Sequence, residues 1–397
     1  LAPYGKKIGP DPATLTTALV GGILNNNSSG MCCGTAQNSY KTIRSVRVVL
    51  ADGFILDTGD KDSVRRFMSE RADMVKQILD LREGIMKDPE LVDLIQRKFK
   101  IKNTTGYSIN SLVDFEDVVD ILNHLFVGSE GTLGFVSEIT YNCVENAKFK
   151  GCGLAFYGNL NDASRAVVTL AGMSRDVVVA AEMMDYLSLK SVQQLPEVPD
   201  FVRGIPEGTS CILFQSESND EAELDKNLEF IKNALKDIPT VIPSMYSKEA
   251  AEYDKWWLIR KGLLPIAAGL RRSGTTVITE DVCFKIEDFT AGIEMITELF
   301  HKYDFVDSGI IFGHALSGNV HFIITPDFND KREMDNFSAL VKEMAERTAG
   351  VEGSIKAEHG TGRMVAPFVE LEWGHKAYAV NRKVKEIFDP TGILNPD

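Results

Sequence analysis

Three things are scarce in this 397-residue chain, and each scarcity removes a class of function. Cysteine is the first: six residues, irregularly spaced and never as C-x-x-C, cannot make a disulfide framework, and they fit a reducing, cytoplasmic setting. Basic charge is the second. With 43 Lys and Arg against 57 Asp and Glu the net charge is −14, and no Lys/Arg run is long enough to coat a phosphate backbone, so nucleic acid is not the partner. Long apolar runs are the third: each is broken by a charge or a glycine well before the roughly 20 residues that a membrane span requires. The chain therefore reads as soluble. It opens at Leu1 with no methionine and no basic-then-apolar leader, and it stops in the turn-like DPTGILNPD, so it reads as a fragment of something longer.

What is present is ordinary globular material, 44% hydrophobic and 25% charged, in a length sufficient for two domains or one large one. Residues 1–60 are rich in Gly, Asn and Ser and end in SVRVVLADGFILDTGD, where Asp52-Gly53 between β-branched stretches signals a hairpin. From Asp62 to about Lys100, Val64, Phe67, Met74, Ile78, Leu81 and Ile85 recur at helical spacing, which predicts two helices broken near Pro89. From about Lys148 to Phe300 the pattern turns to strand, helix, strand, helix, a compact α+β unit with an antiparallel sheet and helices on one face. A strand pair around GIIFGHALSGNVHFIITP and helices over 330–348 and 368–388 complete the chain. No internal repeat or low-complexity segment interrupts it.

Four short segments could carry chemistry. In GGILNNNSSGMCCGT, residues 21–35, small side chains let a backbone approach a diphosphate and consecutive amides can form an anion-binding concavity. It is not G-x-G-x-x-G and no strand precedes it, so the nicotinamide fingerprint fails, and a surface turn explains the composition equally. VGSEGTLG at 127–134, with KNTTGY upstream at 102–107, is a second glycine- and hydroxyl-rich pair that hairpin turns also explain. In GHALSGNVHF, His314 and His321 lie seven residues apart around Gly318, a spacing that lets two imidazoles on opposite flanks of a hairpin meet one ion. In AEHGTGR, Glu358 and His359 are adjacent and so point to opposite faces if extended: one can meet a metal while the other serves as a base. The bland alternatives are structural histidines and a solvated turn. Cys32 and Cys33, without a basic neighbour, read as inert, and Trp256, Trp257 and Arg260 as a helical patch of core plus surface. His124, His301 and His375 receive no role.

Taken together and in this order, the segments resemble the FAD-linked oxidases of the vanillyl-alcohol oxidase type, in the branch with D-lactate and D-2-hydroxyglutarate dehydrogenases. GGxxxxNxxG appears as Gly21 to Gly30, the hairpin as Val48 to Gly53, VGSEGTLG as Val127 to Gly134, then GHxxxGNxH, a distal EHGxG, and the closing DPTGILNP. The helical insert and the SSGMCCGTAQNSY wording look most like the large members fused to a cysteine-rich iron–sulfur half. Three departures stand out. The family's first α/β subdomain, with its diphosphate loop, is missing. Leu316-Ser317 stand where the family has an acidic residue, and no lysine precedes Asp281-Val282.

The resemblance implies an α+β fold: a partial FAD-binding domain over 1–147 with a helical insert at about 61–100, an α/β substrate or cap domain with an antiparallel sheet over 148–365, and a C-terminal helical segment, 366–397, returning to the FAD domain. It implies flavin contacts at Asp11, Gly21, Gly22, Asn27, Ser28, Gly30, Gly34, Thr35, Gly128, Glu130, Gly131, Thr132, Gly134, Val136 and Asn395. His314, His321 and Glu358 become ligands of a divalent ion (Zn, Fe or Mn), His359 the base, and Arg260 the clamp on a substrate carboxylate. The implied activity is oxidation of a small D-2-hydroxy acid on FAD, with electrons passed to an iron–sulfur cluster in a missing C-terminal part or to a quinone. A cytoplasmic location, peripheral at the inner membrane face, and a homo-oligomer are compatible with this. The rival readings are a zinc-dependent hydrolase, which leaves the glycine loops unexplained, and a non-catalytic truncated scaffold.

Overall fold

The computed structural model describes residues 1–194 and 198–396. The chain divides into two compact units. One comprises Lys6–Val144 together with the chain from Ser354 onward, and the other Glu145–Gly353 together with Leu1–Gly5. The sequence pattern puts its breaks at 147 and 365, whereas the contacts put them at 144 and 353, so the segment carrying Glu358 and His359 packs with the glycine-rich loops.

In the loop-bearing unit, strands β1 (Ile43–Val49), β2 (Ile55–Asp57) and β3 (Phe135–Tyr141) form a small antiparallel sheet in the order β2-β1-β3. The Asp52-Gly53 turn joins β1 to β2 as the hairpin signal predicts, with Gly53 at φ +82. The helical stretch that follows is three helices, Lys61–Glu70, Ala72–Met86 and Pro89–Lys98, where periodicity alone predicts two. Arg71, at φ −122 and ψ 32, interrupts the first run, and its guanidinium pairs with Asp52 and lies over Phe54. The break near Pro89 is where the sequence puts it, with Asp88 capping the third helix through the Leu91 amide. These helices and Val369–Phe388 enclose a core that includes Leu24, Phe67, Ile78, Ile95, Leu122, Phe126 and Trp373.

The second unit is built on a seven-stranded, wholly antiparallel sheet. Its strands are β4 (Phe149–Tyr157), β5 (Ala180–Met184), β6 (Ser210–Ser218), β7 (Met245–Ser247), β8 (Ile278–Cys283), β9 (Ile310–His314) and β10 (Asn319–Ile324). They run in the order β8-β10-β9-β5-β6-β4-β7. One face carries Ala181, Met183, Ile212, Phe214, Ile311, Val282, Val320, Phe322 and Ile324, and it buries against helices Leu160–Ala171, Glu221–Leu235, Phe289–Lys302 and Lys331–Gly350. Helices do not cover that face alone. Ala250–Leu270 and Tyr186–Val192 pack on the opposite side, against β4, β6 and β9, which corrects the one-faced expectation. The strand sequences account for it: β6 is buried along almost its whole length, so both faces need cover. Among the described residues, no helix is long and apolar enough to cross a membrane.

The helix Tyr186–Val192 is capped by Asp185, whose carboxylate accepts from the Ser188 amide at 2.7 Å. Burial holds that carboxyl up at about 6 from an ordinary 3.8, although the Ser188 bonds pull the other way. Between those two values the folded chain binds more protons than the unfolded one, so this group's contribution to stability falls as pH rises through that window and is level above it. Asp185→Asn keeps the capping oxygen and removes the charge. The variant is expected to be more stable than wild type at neutral pH, by an amount on the order of 3 kcal/mol and so with a higher melting temperature, and to converge with it as pH falls below the carboxylate range. A pH series of melting curves that stay parallel would refute the assignment.

Candidate functional site

Strand alternation puts the apolar residues of β5, β9 and β10 on one face of the sheet and leaves Glu182, Phe312, His314, Asn319 and His321 on the other. Register then assembles them. His314 stands directly across from Glu182, Phe312 across from His321, and His321 across from Asp281. All are buried. Glu182 Oε1 is 2.7 Å from His314 Nδ1, and Glu182 Oε2 accepts from Arg260 Nε at 2.7 Å. The Arg260 guanidinium lies 4.5 Å from the centre of the Phe312 ring, Phe312 stacks on His321 at 5.4 Å, and His321 meets His314 edge-on at 4.8 Å. Five side chains from four elements thus close a ring.

The electrostatics follow from this geometry. Burial pushes the Glu182 carboxyl up, but His314 and Arg260 beside it more than offset that, so its pKa lies below the ordinary carboxylate range. With Nδ1 of His314 held by a carboxylate, the neutral ring carries its lone pair on Nε2, the arrangement that metal-binding histidines ordinarily show. Asp281 is 3.9 Å from His321 Nδ1, beyond hydrogen-bonding reach, and accepts from Asn319 Nδ2 at 3.2 Å. Gly318 turns the β9–β10 connection at φ +67, and a Cβ there would sit 2.0 Å from the Phe284 carbonyl oxygen. Two imidazoles and the Asp281 carboxylate are donors of the kind that a divalent ion of the zinc, iron or manganese type takes.

Sequence reasoning brings His314, His321 and Arg260 to one place, but it treats Arg260, Trp256 and Trp257 as core plus surface. All three are buried residues of the helix Ala250–Leu270, and Trp257 donates to Gln215 on the same sheet face. Glu182 and Asp281 carry no role in the sequence reading. Glu182 had a signal, since a lone carboxylate inside the apolar run VVVAAEMM must be paired to be tolerated there.

In the other unit the glycine-rich segments pack on one another. The first is not a turn throughout: Val20–Asn26 is a short helix, ended by Asn27 at φ 55. The amides of Gly128 and Glu130 donate to the carbonyls of Leu24 and Asn25, and Glu130 Oε1 accepts from Asn26 Nδ2 at 2.9 Å. Asn395 donates to the Glu130 carbonyl, and Thr132 bonds to Tyr107. Gly30, at φ +110, sits so close to the Asp11 backbone that a Cβ would be 2.2 Å from its carbonyl oxygen. The Asp11 carboxylate accepts from the amides of Cys32 and Cys33, so the protein's own carboxylate fills the anion concavity expected from this loop. Burial, then Asp11, push the Cys33 thiol up, which matches an inert cysteine.

Glycine has different reasons at different positions. Gly134 is demanded by packing, because a Cβ would strike Val48 at 2.6 Å, and Val136 pairs with Val48 in the sheet. At Gly21 and Gly22 a Cβ would meet nothing within 4 Å, so the protein's own packing does not require glycine there, whereas Gly131 has equal space but stands at φ +70, which favours glycine by itself. Asn27, Ser29, Thr35, Lys102 and Asn110 line a cavity of about 320 Å³, and the buried carboxamide oxygens Asn27 Oδ1 and Asn110 Oδ1 have no hydrogen-bond partner. Small, unobstructed backbone and unsatisfied acceptors fit a ligand with N–H donors, and a flavin is one. Ser28 bonds within its own loop to Asn26, and Gly34 stands at φ +52.

Glu358 is buried in this unit and surrounded by donors. Lys102 Nζ is 2.9 Å from Glu358 Oε2, the Gly30 amide 3.2 Å, and Ser29 donates to the same oxygen. Lys102 is a further residue that the sequence reading passes over; only its place at the head of KNTTGY pointed to it. His359 is solvent-accessible, and Gly360 follows at φ +76, where a Cβ would lie 2.1 Å from Glu130 Oε1.

Comparison with known proteins gives consistent results. A model of FAD linked oxidases, C-terminal domain, matches residues 147–397, and a model of an FAD binding domain matches residues 1–59. The chain is 25% identical over 389 residues to the glycolate oxidase subunit GlcD of Bacillus subtilis, covering 98% of this chain and 69% of that one. It is 24% identical over 421 residues to D-lactate dehydrogenase [cytochrome] 1, mitochondrial, of Saccharomyces cerevisiae, covering all of this chain and 58% of that one. Among solved structures, alkyldihydroxyacetonephosphate synthase superposes over the whole chain with a TM-score of 0.59 at 15% identity, which shows a shared fold. The chain spans between 58% and 69% of the length of these proteins.

Proposed function

The chain belongs to the family of FAD linked oxidases, and from that premise we propose that the protein carrying it oxidises a small D-2-hydroxy acid, D-lactate or D-2-hydroxyglutarate or a close analogue, to the 2-oxo acid. The observation that carries this reading is the buried ring of Glu182, His314, His321, Phe312 and Arg260, which gathers two imidazoles and a guanidinium on one polar sheet face. Such a set suits a substrate with adjacent hydroxyl and carboxylate groups: imidazoles for an ion that the hydroxyl can join, a guanidinium fork for the carboxylate.

His314 and His321 are proposed as ligands of a divalent ion, with Glu358, matched to the family's EHGxG, as a further ligand. Arg260 is proposed to orient the substrate carboxylate through the part of its fork not given to Glu182. A divalent ion held there would lower the pKa of a coordinated hydroxyl, and FAD, when bound, would supply the hydride acceptor. His359 is proposed to take the hydroxyl proton, so that the substrate would lose one proton and one hydride and no carbanion would accumulate. Gly21, Gly22, Asn27, Ser28, Gly30, Gly131, Thr132 and Asn395 are proposed to lie along the flavin, and electrons to leave for an iron–sulfur domain or a quinone.

The test is a visible spectrum of the full-length protein followed by dye-coupled turnover with D-lactate, D-2-hydroxyglutarate and glycolate. A yellow protein that reduces the dye with one of the three is expected. A colourless protein, or a yellow one idle with all three, would sink the proposal, and the first of these would also leave room for a hydrolase.

A further inference from the structure

We infer that Glu182 is a positioning residue that dictates which nitrogen of His314 faces an ion, and that Arg260 is what compels it to do so. This rests on the reading of His314 as a metal ligand. Glu182 is fully buried in β5, with one oxygen on His314 Nδ1 and the other on Arg260 Nε, each at 2.7 Å. Cross-strand register holds it there, because Glu182 and His314 are direct partners between β5 and β9. An ionised carboxylate accepts at both oxygens and donates at neither. Nδ1 of His314 must therefore be the protonated nitrogen, and the lone pair of the neutral ring is left on Nε2. Arg260 supplies the second constraint: a guanidinium only donates and stays protonated, so the oxygen it faces must remain an acceptor. Its position over Phe312 fixes it independently of Glu182.

Replacing the carboxylate by a carboxamide of nearly the same shape exposes this logic. In Glu182→Gln there is one acceptor and one donor for two partners. Arg260 claims the oxygen, so the amide group faces His314 Nδ1, which must then carry the lone pair while the proton moves to Nε2. The ring keeps its place and loses its ability to bind an ion from that side. Removing Arg260 as well, in Glu182→Gln/Arg260→Met, lets the carboxamide turn its oxygen back to His314 and restores the original tautomer. A group that merely filled space would behave in the opposite way, since a second buried substitution would add to the damage.

The experiment strips the protein with a chelator and titrates it with Zn²⁺ or Co²⁺ alone against a chromophoric competitor, with circular dichroism to confirm folding. Glu182→Gln should bind the ion about tenfold to a hundredfold more weakly than wild type, the usual cost of losing the partner of a metal-binding histidine. The double variant should regain most of that loss. Wild-type affinity in His314→Ala overturns the ligand reading and this inference with it. Wild-type affinity in Glu182→Gln, alongside a loss in His314→Ala, overturns the inference alone, and so does a folded double variant that recovers nothing. Should Glu182→Gln fail to fold, the imidazole ¹⁵N spectrum of metal-free wild type in mildly alkaline buffer decides: a His314 ring protonated at Nδ1 supports the assignment, and one protonated at Nε2 refutes it.

Discussion

Replacing His359 by alanine should leave the full-length protein yellow and folded while turnover falls by at least about a hundredfold, the range expected when a positioned general base is lost. The expectation comes from how the segment is held. Glu358 is pinned by Lys102, Ser29 and the Gly30 amide, all on one oxygen, which fixes the backbone at its neighbour. Gly360 is then forced into φ +76 against Glu130, so the chain has little freedom on the far side of His359 as well. A solvent-accessible imidazole held between two fixed points is suited to proton removal, whereas a surface histidine with no such role would be free to vary. Because the ring is reached by solvent, added imidazole should restore part of the activity of His359→Ala. Turnover close to wild type in that variant, with flavin content unchanged, would remove His359 from the chemistry.

The histidines were legible because chemistry at that spacing leaves a local mark: two imidazoles flanking a glycine turn are visible in ten residues. Glu182 was not, since its meaning depends on a strand pairing between residues 132 positions apart. A carboxylate in an apolar run announces that a partner exists without saying which. Arg260 was picked out as a clamp, but its burial could not be foreseen from a helix whose polar and apolar residues are poorly segregated, because the sheet face above it is polar too. The glycine loops illustrate the opposite error. GGILNN has poor helix propensity, yet Val20–Asn26 is helical, held by the amides of Gly128 and Glu130 from a loop more than a hundred residues away. Periodicity makes residues 61–100 helical in sequence, but it does not show the break at Arg71, where a side chain serving Asp52 and Phe54 outweighs local periodicity.

Glu372 offers the largest expected effect on stability. It is buried at the start of the last helix, where Oε1 accepts from Asn103 Nδ2 at 2.7 Å and stands 3.1 Å from Lys98 Nζ, and Oε2 accepts from the Ile355 amide at 2.7 Å. One carboxylate thus ties the helical insert, the KNTTGY segment and the stretch at Ile355 that leads, three residues later, to Glu358. Glu372→Ala takes the carboxylate from a buried ammonium and from two buried N–H groups at once, so a loss of about 3–5 kcal/mol is expected. Lys98→Met/Glu372→Met should be the milder change, because it removes both charges and leaves only the two N–H groups to be satisfied. Denaturant unfolding measures the global cost, and hydrogen exchange at the Ile355 amide, which should accelerate in both variants, measures the local one. A loss below about 1 kcal/mol in Glu372→Ala, the size typical of a solvated surface pair, would mean that water replaces the carboxylate and that this network does not anchor the Glu358–His359 segment.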